Sequence, residues 1–112
     1  MPLSLEYIAG FFDGEGSISW STPKKYPNKK YPRVELGNTN FQIIEEISYQ
    51  FNGKFDTQWA KSKRSIGTKP FARWYCYGKN AYTFLRAICP HLRIKQQQAL
   101  DALKYLERYR DN

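Results

Sequence analysis

Along this chain, stretches with helical spacing and stretches of strict alternation follow one another in a repeated order: one helical run, then two alternating runs, twice over. That order leaves few folds open. Neighbouring strands joined by short loops pair as antiparallel hairpins, and helices threaded between them must cover one face of the resulting sheet. Residues 5–12 (LEYIAGFF) carry the first helical pattern, behind Ser4 as N-cap. Residues 17–21 (SISWS) alternate, turning Ile18 and Trp20 towards a core and the serines away. Residues 22–32, rich in proline and lysine, form a loop. Residues 33–37 alternate again, with Val34 and Leu36 inward and Arg33 and Glu35 outward. Thr39 opens a capping box for a helix whose Phe41, Ile44, Ile47 and Phe51 share one face, and Asn52-Gly53 ends it. Residues 54–61 and 71–77 supply the second strand pair, across a basic tip at 61–69. Residues 79–88 place Ala81, Phe84, Leu85 and Ile88 on one helical face before Pro90 stops the run. Residues 94–110 form the last helix, burying Ala99, Leu103 and Leu106. The expected architecture is α+β, in the order α-ββ-α-ββ-α(α). A four-stranded antiparallel sheet carries its helices on one face, in a single domain over residues 1–112.

The other face of that sheet is expected to be polar, presenting Ser19, Ser21, Arg33, Glu35, Lys54, Asp56 and Gln58. Lysine and arginine outnumber aspartate and glutamate by 18 to 10, a net charge of +8. Such an excess on a small domain points to a polyanionic partner, either nucleic acid or an acidic membrane surface. No run approaches the ~18 apolar residues of a membrane span, and the N-terminus lacks the basic-then-apolar pattern of a signal peptide. The two cysteines, Cys76 and Cys89, do not form a close zinc-type pair, so an intracellular, reduced chain is expected. The lone histidine, His91, argues against nuclease chemistry built on histidine–metal clusters. A polar sheet face with basic loop tips resembles a surface that lays strands in a DNA major groove; an ordinary solvated face has the same composition.

The stretch Asp13-Gly14-Glu15-Gly16 sets two acids at the end of the first helix, where unpaired carbonyls already make the field negative. It reads as a solvated glycine-rich turn or as a divalent-metal site for phosphodiester chemistry. A calcium loop is excluded, because its sixth position needs Gly and has Ile18, and its twelfth needs Glu and has Lys24. A carboxylate beside a helix-end carbonyl suits Mg²⁺, which keeps part of its water shell and takes phosphate oxygens from substrate. A bound cation would cancel the electrostatic cost of acids at that position, and such local conflicts are expected at functional sites.

Residues 8–16, IAGFFDGEG, resemble the nine-residue signature of the LAGLIDADG homing endonucleases. Ala9, Gly10, Asp13 and Gly16 match it outright, and Glu15 is acidic at its acidic eighth position. The likeness extends along the chain, through LGNTNFQIIEEI at a strand-to-helix junction and FLRAICPHLRIKQQQ at a proline corner. The resemblance implies a site-specific, Mg²⁺-dependent DNA endonuclease that makes a double-strand break in a long, near-palindromic target. Mn²⁺ would be an acceptable replacement and Ca²⁺ a non-catalytic stand-in. It implies Glu15 and the Gly14 carbonyl as metal ligands, Lys95 as a basic residue near the scissile phosphate, and Asn38 as a polar group ordering water. Asp13 would be structural, closing the motif-helix turn. One motif per chain implies a homodimer through Tyr7, Ala9, Gly10 and Asp13, with small residues letting two helices approach closely. Arg33, Glu35, Asp56, Gln58 and Arg73 are then candidates for base contacts. Lys24, Lys25, Lys29, Lys30, Lys61, Lys63 and Arg64 are candidates for phosphate contacts. The partners expected are double-stranded DNA and a second copy, with no membrane and no small-molecule substrate. The alternative is a catalytically silent DNA binder or intron-RNA maturase on the same scaffold.

Overall fold

The structure, a computed structural model, describes residues 2–61 and 68–110; of residues 59–61, 68 and 69 it describes the backbone alone. Helix α1 (Leu5–Glu15) leads into strands β1 (Gly16–Ser21) and β2 (Tyr31–Asn38). Helix α2 (Phe41–Phe51) leads into β3 (Lys54–Lys61) and β4 (Thr68–Tyr77). Helix α3 (Gly78–Ile88), a 3₁₀ turn (Cys89–His91), helix α4 (Gln96–Leu106) and a second 3₁₀ turn (Glu107–Tyr109) complete the order. All strand pairs are antiparallel, in the spatial order β1-β2-β4-β3. The four-stranded sheet expected from the alternation is therefore present, with β2 and β4 at its centre.

Alternation decides which face is covered. Val34 and Leu36 of β2, and Ala72, Trp74 and Cys76 of β4, lie against the helices with almost no exposure. Phe84 of α3 is the hub of this layer. Its ring meets Trp74 at 4.8 Å, Phe51 at 4.9 Å and Phe12 at 5.4 Å, all edge-on, the arrangement that aromatic quadrupoles favour. One contact each from β4, α2 and α1 thus fixes how these elements stand on the sheet.

Several local expectations shift. Helix α1 runs through Asp13 and Gly14 to Glu15, so the acids lie in its last turn, and extended Gly16 caps it. A Cβ on Gly16 would sit 2.2 Å from the Phe12 ring, so the close return of β1 over α1 needs glycine there. The N-cap of α2 is Asn40, not Thr39: Asn40 accepts from Ile43 N–H, and Asn38 Oδ1 accepts from Asn40 N–H at 2.8 Å. Two asparagines in tandem hold the turn, and asparagine caps at least as well as threonine. Trp20 is 44 % exposed rather than in the core. It lies on edge strand β1, where the helical layer ends, and meets Tyr105 edge-on at 5.6 Å. The last helix begins at Gln96, not at residue 94, and gives way to a 3₁₀ turn after Leu106. Ala102 is buried alongside Ala99 and Leu106, while Leu103 is only half-buried.

Candidate functional site

The two acids at the end of α1 have different fates. Asp13 is 9 % exposed, and its carboxylate accepts from three successive backbone N–H groups: Arg93 at 2.8 Å, Ile94 at 3.1 Å and Lys95 at 3.0 Å. Burial pushes its pKa up, but those three bonds and the Lys95 charge outweigh burial and hold it below the ordinary carboxylate value. Asp13 closes no turn of its own helix; its bonds tie α1 to the chain entering α4. Residues 93–95 turn their N–H groups to Asp13 just ahead of α4, whose N-cap is Lys95. Glu15 is exposed two residues later.

Lys95 arrives at the same place. Its Nζ donates to the Asp13 carbonyl at 2.6 Å, so an ammonium sits on the last turn of α1. A cation at a helix C-terminus is favoured by the unpaired carbonyls there. Asn38, at the end of β2, spends its Oδ1 on Asn40 N–H, which leaves its amide group as a donor. Among the described residues no three His, Cys, Asp or Glu side chains form a metal cluster. One copy therefore brings a single exposed carboxylate and helix-end carbonyl oxygens to this position. That sparse oxygen donor set suits Mg²⁺, which binds through one or two carboxylates plus substrate phosphates. The cysteines offer no competing chemistry: both are buried and unpaired, and burial pushes the Cys76 thiol up to about 12.

The uncovered sheet face presents the residues expected there. Registry sets Ser19 opposite Arg33, Glu35 opposite Tyr75, Lys54 opposite Tyr75, Asp56 opposite Arg73 and Gln58 opposite Phe71. Arg73 belongs to this face, because Ala72, Trp74 and Cys76 are buried on the other. The centre of the face is less basic than its residue types suggest. Arg73 Nε and Nη2 bind the two Asp56 carboxylate oxygens at 3.1 and 2.8 Å. Arg33 Nη2 binds Glu35 Oε1 at 3.0 Å, and Arg73 Nη1 stands 4.0 Å from the same oxygen. The Arg73 hydrogen bonds hold the Asp56 carboxyl below its ordinary range despite burial. Positive charge not committed to these pairs lies at the margins. Lys54 is exposed beside the Tyr77 ring, and Lys24, Lys25, Lys29 and Lys30 are exposed in the loop before β2. Lys61 is described only in its backbone, and Lys63 and Arg64 lie outside the described residues. The alternation of β4 also brings Tyr75 and Tyr77 outward, a signal that the sequence carried at positions 71, 73, 75 and 77 but that the polar residues alone did not reveal.

Of the four residues expected at a helix–helix interface, Ala9 is fully buried within the chain and Asp13 nearly so. Tyr7 is 50 % exposed and stacks along α1 on Phe11, and Gly10 is exposed. A Cβ on Gly10 or Gly14 would meet nothing within 4 Å. The outer strip of α1 is thus Tyr7, Gly10 and Gly14, bare backbone flanked by an aromatic ring. Beside it, Gly10, Glu6, Asp13, His91 and Arg93 line an open recess of about 760 Å³.

A family model described as a LAGLIDADG-like domain matches residues 2–89. No curated protein matches the chain. Among solved structures, the fold is similar to that of the homing endonuclease I-CvuI in complex with its target in the presence of calcium. That likeness has 23 % identity and a TM-score of 0.65 and covers 96 % of this chain and 68 % of the other. It is also similar to the archaeal intron-encoded homing endonuclease I-Vdi141I complexed with DNA, at 15 % identity and a TM-score of 0.65, over 96 % of this chain and 69 % of the other. A third similar structure is the LAGLIDADG meganuclease I-AabMI bound to uncleaved DNA, at 13 % identity and a TM-score of 0.61. There the match covers 96 % of this chain but 38 % of the longer one. At these identities the likeness is one of fold. Motif, topology and family model agree over most of its length, and the chain belongs to the LAGLIDADG family.

Proposed function

We propose that this protein is a site-specific, double-strand DNA endonuclease that works as a homodimer with Mg²⁺. The observation that carries the reading is the division of labour at the end of α1. Asp13 has its charge absorbed inside the chain, while Glu15 stands exposed on the same helical turn, whose Asp13 carbonyl binds the Lys95 ammonium. Glu15 and the Gly14 carbonyl would hold the metal together with DNA phosphate oxygens and water. When bound, the divalent cation supplies a Lewis acid for the phosphate and lowers the pKa of a bound water. Lys95 offsets the charge that gathers at the phosphate and, through the Asp13 carbonyl, stays fixed to the turn that carries Glu15. Asn38, whose amide group remains a donor, would order water near the phosphate. The sheet face, with its ion-paired arginines and its lysine-bearing margins, would lie in the major groove, where base edges are distinguishable. I-CvuI and I-Vdi141I, named as homing endonucleases and solved with DNA, support the substrate class. One motif per chain supports a second copy at α1, so that each strand is cut by one Glu15.

Selection of cleaved sites from a random duplex library, with Mg²⁺ and then Ca²⁺, tests the reading. Glu15→Gln keeps the shape and removes the charge. Cleavage of the selected site is expected to fall by about a hundredfold or more, while gel-shift affinity holds or rises as negative charge facing the phosphates is lost. Calcium is expected to support binding with little cutting. Near wild-type cleavage by Glu15→Gln would remove Glu15 from the chemistry. Binding without cutting by the wild type in Mg²⁺ would favour the silent DNA binder.

A further inference from the structure

We propose that Tyr75 joins Arg33 and Arg73 into one reading device, so that the two base pairs they contact are selected together rather than independently. The inference rests on the proposed sheet-in-groove reading and goes beyond it. The Arg33 guanidinium carbon lies over the Tyr75 ring at 4.1 Å from its centre, and that of Arg73 lies over the same ring at 4.9 Å. Both arginines also reach one carboxylate atom, Glu35 Oε1. One ring and one oxygen are therefore shared by two side chains that come from different strands.

The sharing has a chemical consequence. A guanidinium carries five N–H donors. Asp56 takes the Nε–H of Arg73 and one N–H of its Nη2, so the end of the fork, Nη1 with the second N–H of Nη2, is what remains to offer outward. A fork held this way is ready for the O6 and N7 of guanine, and it gains little freedom to follow phosphates instead. Arg33 is held by Glu35 and by the ring. Moving either arginine off its base frees part of Glu35 and uncovers part of Tyr75, and the other arginine can then settle differently. The positions of the two guanidinium groups are coupled, and the preferences they impose on DNA are coupled with them. Glu35, Asp56 and Tyr75 act through the arginines as positioning residues.

The test is a binding selection from a random-sequence duplex library, with wild type, Arg33→Ala, Arg73→Ala, Tyr75→Phe and Tyr75→Leu. The wild type is expected to favour guanine at two base pairs of each half-site, each by about tenfold, with the double change costing less than the product of the single changes. Tyr75→Leu removes the ring without altering charge. Both preferences should fall together and become independent, while the salt dependence of binding stays the same. Tyr75→Phe keeps the ring and should keep the coupling. Asp56→Asn gives a second route: binding to unrelated duplex should tighten and its salt slope steepen by about one, while discrimination at the Arg73 position falls. If each arginine variant flattens its own position but Tyr75→Leu leaves both preferences and their coupling intact, the joint device is refuted and the sheet reading survives. Arginine variants that leave the selected profile unchanged would sink the sheet reading itself. If Tyr75→Leu lowers the melting temperature, the Asp56→Asn profile decides: discrimination at the Arg33 position should fall along with that at the Arg73 position, and an unchanged Arg33 position overturns the proposal.

Discussion

At the residue scale, Asp13 shows how a charge that looks misplaced in a sequence can be satisfied far along the chain. Its three acceptor contacts reach residues about eighty positions away, so no local pattern could announce them. Hydrogen bonds to a charged group are worth about 1.5–3 kcal/mol each side-chain loss, more than neutral ones, because the buried N–H groups would otherwise be left without partners. Asp13→Asn keeps an acceptor oxygen but removes the charge and turns an amide donor towards those N–H groups. It should cost about 2 kcal/mol of stability, read by denaturant titration. The pH dependence follows from the direction of the shift. The folded pKa lies below the ordinary value of 3.8, so the folded state binds fewer protons than the unfolded one near that pH. The stabilisation is present above about pH 4 and is lost as pH falls through the folded pKa. Melting temperature against pH should therefore drop less steeply in acid for Asp13→Asn than for the wild type. Equal acid slopes would mean that the Asp13 bonds carry no charge-dependent stability.

At the scale of elements, the turn from α2 into β3 is made by only two residues, Asn52 and Gly53. Asn52 has φ +62° and Gly53 has φ +118°, both in the left-handed half of backbone space. The turn also presses on the sheet: Trp74 Nε1 donates to the Asn52 carbonyl at 2.7 Å, and a Cβ on Gly53 would stand 2.6 Å from that nitrogen and 2.9 Å from the Tyr75 carbonyl. Gly53→Ala should cost about 2–3 kcal/mol, through backbone strain and displacement of Trp74 together. Trp74→Phe should cost about as much, through loss of the bond to the Asn52 carbonyl and a cavity beside Phe84. The double variant should lose less than both losses combined, because each change already disrupts the same bond; full additivity in thermal unfolding would contradict this coupling. The sequence announced this junction through Asn-Gly, and it announced β2, α2 and α3 through clean periodicity. It misplaced features that periodicity does not encode: the segment ahead of α4 is tied to Asp13, the exposure of Trp20 depends on where the helical layer stops, and the α2 cap on competition between three adjacent polar residues. In the candidate site the sequence likewise exposed the residue types, Glu15, Lys95 and the outward arginines. The pairing of those arginines with Glu35 and Asp56 is a matter of cross-strand register, which spacing along one strand does not contain.

At the scale of the whole molecule, the open question is what covers the outer strip of α1. Glycine inside a helix costs about 1 kcal/mol relative to alanine, so Gly10 and Gly14 weaken α1 for no gain inside this chain, where a Cβ at either position would meet nothing within 4 Å. In the proposed homodimer a second copy would supply the gain. Around a two-fold axis the same strip would meet itself, and bare backbone would let two helices approach closely enough to bring both Glu15 residues to one centre. The two effects of a side chain at Gly10 should then have opposite signs. Gly10→Ala should raise the stability of the isolated chain by up to about 1 kcal/mol, measured at dilution where the wild type sediments as a monomer. Gly10→Leu should raise it similarly yet push the helices apart, shifting sedimentation at micromolar concentration towards monomer and abolishing concerted cutting of both strands. Tyr7 flanks the contact and Ala9 lies behind it in the core, so Tyr7→Ala should weaken association, whereas Ala9→Leu should unfold the chain first. A Gly10→Leu protein that remains a dimer would place the interface elsewhere on the molecule. A wild-type monomer that cleaves both strands would remove the need for one.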